Sequence, residues 1–446
     1  MRALILDEES IAAATEKGQT MHALVRELYP LTRSITGPGL RATVKRMGAI
    51  VPLEVTEVRS GTPVFDWSVP EEWSIEDAYI EHESGRRFGE LRRSNLHMVG
   101  YSIPVDTTMT LAELRPHLHS LPEHPNWIPF ITSYYKPGWG FCLAHHELQS
   151  LPEGRYRVVI RSQLGPGSLT LAEHVHHGVS EDEVLVFAHD CHPSLANDNL
   201  SGLAVAVQLA AFLAQRTTRY TYRFVFAPAT IGSITWLAMN ESKLARIRHG
   251  LVLSLLGDGG PLHYKKSRGG NHAIDRSAWH VLRTEFPGSR LLEFSPWGYD
   301  ERQFCSPGIN LPMGRLTRTP DGEFIEYHTS ADNPDFVTAD ALAQSWLACL
   351  KIFEAIEADV RYVNLSPKGE PQLGRRGLYR STGGYYAGMP DRQMALFWML
   401  NQSDGNTSLL DIAEKSGLSA GVLARAALDL QAAGLLAPAA GANSIG

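Results

Sequence analysis

The chain reads as an α/β protein: a mostly parallel sheet flanked by helices, with a small inserted β-rich domain and a C-terminal winged-helix module. Three observations predict it. Between residues 155 and 260, short β-branched apolar runs alternate with longer runs of strong helix formers, the rhythm of a parallel sheet covered on both faces. Between 52 and 150, short alternating pieces such as LEVTEV and AYIEHES are separated by Pro and Gly and are rich in Trp and Tyr, which reads as a β-rich unit. From 391 to 436, three helical stretches are separated by turns and followed by LLAP, the order of a helix-turn-helix module. The implied boundaries are a core of residues 1–51 and 151–375, an inserted domain at 52–150 and a tail at 380–446.

The elements follow in order. Residues 20–50 have apolar spacing near 3.6 and are interrupted by Thr36-Gly37-Pro38-Gly39, so two helices flank a turn. RYRVVIRS (155–162) and VLVFAHDC (184–191) are strands, and LAVAVQLAAFLA predicts a helix over 201–215. YRFVFAPAT (222–230) is a strand, 232–246 a helix, HGLVLSLLGD (249–258) a strand and 273–286 a helix, with further signals to about 355. In the tail, RQMALFWMLNQ, LLDIAEKSG and SAGVLARAALDLQAAG are helical, and SDGNTS is a turn.

Composition narrows the function classes. With 446 residues, 43% hydrophobic and 20% charged, the chain is an ordinary globular protein with room for two or three domains. A formal charge of −7 gives no reason to expect nucleic acid or anionic membranes as partners. No 18-residue apolar run is present, and the N-terminus turns acidic after a short apolar stretch, a poor signal peptide. The four cysteines (Cys142, Cys191, Cys305, Cys349) lie far apart with no CxxC, which favours reduced thiols in a cytoplasm. The tail holds three basic residues against five acids over 388–436. A DNA reader needs a basic face, so packing or oligomerisation is the expected role.

Chemistry concentrates where the strand VLVFAHDC ends and a helix begins. His189, Asp190, Cys191, His192 and Asp198 crowd one loop at the sheet edge where α/β proteins build sites. Zinc takes imidazole nitrogen and carboxylate oxygen, and two histidines beside an aspartate exceed what an Asx turn with a helix cap requires. Asp258 closes a later strand at the same edge. EFIEYHTSADN (323–333) brings His328 with Glu326, Tyr327 and Asp332, and GYDERQFCSPGINLP (298–312) brings Asp300, Glu301, Arg302 and Gln303. Asp300, Arg302 and Tyr327 are candidates for substrate contact. EPQLGRRGLY (370–379) reads as a salt-bridged junction to the tail.

Together HPSLANDNLSG, the strand followed by PATIGSI, GYDERQFCSPGI, EYHTSADN and EPQLGRRGLY resemble the bacterial aminopeptidase-like proteins with a zinc-peptidase (M28-like) core, relatives of the bacterial leucine aminopeptidases. The resemblance runs over almost the whole chain. It implies a metal site in which Asp198 matches the central carboxylate of the NDN motif, His328 the final histidine and Asp258 the acid ending a later strand. For the first histidine, counting along the strand favours His189 and the CHPS pattern favours His192, with His192 slightly preferred. The family's turn reads PETIGS and carries a general-base glutamate, whereas this chain has Pro228-Ala229-Thr230-Ile231-Gly232-Ser233. Ala229 can neither accept a proton nor bind a metal, so Glu326, Glu301 and Asp190 are the substitutes to consider, and one zinc ion per chain is expected over two.

The expected function is therefore a cytoplasmic zinc-dependent aminopeptidase-like hydrolase cleaving an amide bond of a small peptide or amino-acid conjugate. The alternatives are a non-hydrolytic biosynthetic enzyme (cyclisation or acyl transfer) on the same metal site, and a catalytically degenerate binding protein. Neither nucleic acid nor membrane is an expected partner, and a homo-oligomer is compatible with the tail.

Overall fold

Apolar runs such as Glu183–His189, buried at every position, need cover on both faces, and the sheet they build organises the molecule. In the computed structural model, which describes residues 4–379 and 391–439, the main sheet has eight strands. They are β1 (Glu54–Arg59), β2 (Ser168–His176), β3 (Glu183–His189), β4 (Thr221–Ala227), β5 (Ile247–Leu253), β6 (His263–Lys265), β7 (Arg290–Leu292) and β8 (Met313–Thr317). Their order is β1-β2-β4-β3-β5-β8-β6-β7. The centre, β4-β3-β5-β8, is parallel. The β1-β2-β4 side is antiparallel, and β6 runs against β8 while pairing in parallel with β7. The sheet is thus mixed, with a parallel core.

The long helices supply the cover. They are α1 (Ala14–Leu28), α2 (Gly202–Leu213), α3 (Ile231–Asn240), α4 (Ala273–Glu285) and α5 (Ala339–Ala358). Helix α2 is buried at 11 of its 12 positions, as an all-round apolar helix must be. α1 and α5 cross closely at Gly18, where an added Cβ would lie 2.3 Å from the Ala339 carbonyl oxygen and 2.8 Å from the Ala343 Cβ.

Sheet membership departs from the boundaries expected at 52 and 150. LEVTEV enters the main sheet as its edge strand β1, and RYRVVIRS, extended to Arg155–Gly165, leaves it. That strand pairs antiparallel with Glu72–His82 and Val105–Thr110 in a separate four-stranded sheet. Alternation along a strand fixes which side chains share a face but not which sheet receives it. Among the inserted aromatics, Trp73 is buried and stacks on Tyr101, while Trp67 and Tyr135 meet edge-on at the surface.

The tail is a winged helix of Asp391–Gln402, Leu409–Ser416 and Ala420–Ala432, with strands Asp404–Ser408 and Leu436–Pro438 flanking Arg361–Asn364. Its sheet therefore reaches back to residue 361, and SDGNTS contributes a strand as well as a turn. Part of the acid excess faces the core: Arg276 of α4 pairs with Asp411 at 2.6 Å and with Glu414, and His280 meets the Leu418 carbonyl at 2.9 Å. Residues 370–379 form no ion pair among the described residues, so the salt-bridged junction expected there is absent from them. No helix is long and apolar enough to cross a membrane among the described residues.

Candidate metal centre

The centre is built by alternation within three residues. Asn197, Asp198 and Asn199 follow β3 and precede α2, joined by a cis peptide between Asp198 and Asn199. Asn197 and Asn199 turn toward the end of β5. Asn197 accepts from Gly257 N (2.8 Å), while Asn199 donates to the Leu253 carbonyl (3.0 Å) and accepts from Leu255 N (3.2 Å). Ser201 adds a bond from Leu256 N. Gly202 lets the segment sit this close, since a Cβ there would lie 2.4 Å from Asn199 Oδ1 and 2.5 Å from the Leu253 oxygen. Asp332 clamps the other side, accepting from the backbone N–H of Asn197 (2.6 Å) and of Asp198 (2.9 Å).

So anchored, Asp198 presents a fully buried carboxylate to three imidazoles. His189 Nε2 lies 2.9 Å from Oδ1, His328 Nε2 2.9 Å from Oδ2 and His192 Nε2 3.9 Å from Oδ2. His189, His192 and Asp198 offer ligand atoms within 4.8 Å of one another. His189 and His192 both join the cluster, with His189 the nearer to Asp198. His189 is fully buried, whereas the His328 side chain is 34% exposed, so the cluster opens to solvent on the His328 side. Burial would raise the Asp198 carboxyl, but facing His192 and hydrogen bonds from His189 and His328 pull it well below the usual range. Burial drives His192 down to about 3, leaving a neutral imidazole, the form that binds metal.

Aromatic rings and one arginine fix the histidines. Tyr299 stacks on His189 (5.1 Å between centroids), Tyr327 stacks on His328 (4.0 Å), and Phe130 meets His192 and His328 edge-on. The buried Arg33 donates to the carbonyls of His192 (2.7 Å) and Pro193 (2.9 Å). Phe130 N also donates to the His328 carbonyl (2.8 Å), and Ser330 N to that of Ile128 (2.8 Å). His328 itself sits at φ 55°, a left-handed conformation that surrounding contacts must hold.

Other expected residues fall elsewhere. Asp258 is a correction: its carboxylate is taken by Asn197 Nδ2 (3.1 Å), Gly260 N (2.7 Å) and the Thr319 hydroxyl (2.6 Å). It braces the loop behind the cluster and does not join it. Glu301 is fully buried and tied to Lys265 at 2.8 Å. Arg302 lies over the exposed Trp297 ring, 5.7 Å from its centroid. Among the described residues Glu326 engages through its backbone carbonyl, which accepts from Thr329. Asp190 is buried with neither carboxylate oxygen partnered, and burial pushes it up to about 7.

The turn at Ala229 receives a carboxylate from outside. Asp300 Oδ1 accepts from Thr230 N (2.8 Å) and the Ser233 hydroxyl (2.6 Å), while Oδ2 is buried and unpartnered. Burial raises this carboxyl above its ordinary value. Sequence reasoning missed the bracing by Arg33, Phe130 and Tyr299, which lie far away in the chain. The period-2 pattern of Asn-Asp-Asn was the signal that could have exposed the split between anchors and ligand.

Comparison with known proteins identifies the family and the fold. Residues 22–359 match the family model described as a domain of unknown function, DUF4910, and residues 360–438 match a winged helix-turn-helix model. A Clostridium acetobutylicum protein named for polysaccharide biosynthesis and an aminopeptidase-like domain is 48% identical over 408 residues, covering 92% of this chain and 94% of that one. A crystal structure from Clostridium acetobutylicum, named as a peptidase, is similar with a TM-score of 0.92 and 45% identity, covering 96% of this chain and 98% of that one. The zinc aminopeptidase BSAP from Bacillus subtilis shares the fold, with a TM-score of 0.57 and 15% identity over 77% of this chain and 95% of that one.

Proposed function

Because the chain belongs to the DUF4910 family and has an aminopeptidase-like fold, we propose that it is a zinc-dependent hydrolase cleaving an amide bond of a small peptide or amino-acid conjugate. The observation that carries this reading is the single buried carboxylate of Asp198 facing His189, His192 and His328. This nitrogen-and-oxygen donor set suits zinc, and the carboxylate is held ionised without any basic side chain other than imidazole in hydrogen-bond contact. Bound there, zinc would polarise a carbonyl and lower the pKa of water toward about 7.

The chain's own residues supply the rest. Asp198, His189, His192 and His328 would hold the ion, and the exposed edge of His328 marks the side from which an amide would enter. Asp300 takes the proton-accepting role that Ala229 cannot fill. It neighbours Tyr299, whose ring covers His189, and its Oδ2 has no other partner. Glu301 is a poorer acceptor because Lys265 already claims it.

The test is metal content and turnover of aminoacyl amides by the purified full chain. About one zinc per chain with hydrolysis, both lost in Asp198→Ala, is the expected result. A chain without metal, whose activity is unchanged by Asp198→Ala, would overturn the reading. The loss of a glutamate at Ala229 favours one second reading, a non-hydrolytic enzyme on the same centre. Its mark would be bound zinc without hydrolysis of any aminoacyl amide.

A further inference from the structure

The parallel strands carry the histidine cluster at their carboxyl edge, and a cavity lies at the opposite edge. It measures about 290 Å³ and is bounded by the starts of β4, β5 and β8, the N-terminus of α4 and the end of α5. Two buried polar side chains in its wall lack partners. His249 is 6% exposed with Nδ1 unpaired, and the fully buried Ser277 has an unpaired hydroxyl. A buried polar group without a partner is costly, so each points to something that completes it.

Two guanidinium groups, those of Arg219 and Arg248, line the cavity together with Asp359. Arg248 gives only its Nε to Asp182 (3.0 Å), leaving both terminal nitrogens without a partner among the described residues. Arg219 donates to the Asp359 carbonyl (3.1 Å) and to the Tyr220 hydroxyl. The N-terminus of the 13-residue helix α4 opens onto the same space through His272 and Ala273, with the Asp275 carboxylate of its first turn accepting from His272 N (2.9 Å). The acids nearby are already engaged: the Asp359 carboxylate accepts from Leu410 N (3.0 Å), and Glu357 accepts from Arg219 N and Tyr220 N. Burial, with Arg219, Arg248 and His272 facing it, pushes His249 down to about 3, so its ring is neutral at pH 7.

We propose that this cavity is a binding site for a phosphate group, held by Arg248, Arg219, His249, Ser277 and the start of α4. Guanidinium forks match phosphate oxygens in pairs. Ile247, Pro312 and Ile356 in the wall leave an apolar side for the carbon skeleton of a phosphomonoester.

Calorimetric titration of the full chain at constant ionic strength tests this, with inorganic phosphate and glycerol phosphate as probes and chloride as the control. Saturable binding is expected, weakened about tenfold in Arg248→Gln by loss of a charge-assisted bond. The Arg248 side chain is 44% exposed, so this variant keeps the fold. Labelled-histidine NMR should show the His249 signals moving on titration while those of His328 stay. Equal affinity for the two probes assigns the site to phosphate itself, and tighter glycerol phosphate binding assigns it to a phosphomonoester. Absence of saturable binding, or binding unaltered in Arg248→Gln with His249 unmoved, overturns the proposal and leaves a water-filled cavity.

Discussion

At Ala229 the turn after β4 lacks a carboxylate of its own, yet its backbone N–H and hydroxyl groups converge on Asp300. Asp300→Asn keeps the shape and the acceptor for those donors while removing the proton acceptor. It should lower kcat for aminoacyl amides by about 10²–10⁴-fold with zinc content unchanged, and Ala229→Glu in that background should restore part of the rate. Full turnover by Asp300→Asn would end the assignment. Asp198 and His328 were legible as members of one cluster because NDN and YHT carry specific chemistry in short words. Asp258 misled for a physical reason: an acid closing a strand serves equally well as a ligand or as a brace, and only the contacts from Asn197 and Thr319 decide.

The elements were legible wherever periodicity was local. The apolar run of α2 and the strands β3, β4 and β5 stand within a few residues of where their patterns place them. Membership of a sheet was not legible, because β1 and Arg155–Gly165 are decided by partners more than 40 residues away in the chain. The close crossing of α1 and α5 was likewise hidden, since one glycine in a helical pattern names no partner. Gly18→Val should cost about 1–3 kcal/mol by overpacking, read as a lowered Tm with zinc binding by the folded fraction intact. An unchanged Tm would mean that the two helices separate at little cost.

Across the whole molecule, the tail is joined to the core by Arg276 with Asp411 and Glu414, and by His280 with the Leu418 carbonyl. These ion pairs are part-exposed, so each is worth about 1 kcal/mol or less. Arg276→Ala should therefore leave amide hydrolysis unchanged and lower the thermal stability of the winged-helix part, an effect that shrinks at high salt. Calorimetry at low and high salt checks this; equal losses at both would point to lost packing rather than lost charge. The acidic balance of the tail was legible in the sequence, but not the surface that these acids serve, because Arg276 lies 135 residues before Asp411.

The hydrogen bonds between Phe130 and His328, and between Ser330 and Ile128, tie the loop that carries His328 to a loop of the inserted segment. His189, His192, Asp198 and His328 all lie on loops of the main sheet, but the His328 loop is held by residues 128–130, so an ion would be captured only after that contact has formed. Zinc would then act as a latch: by mass action its binding would stabilise the joined state alone. Chelation should accordingly speed hydrogen exchange first at Phe130 and Ser330, before the central strands begin to open.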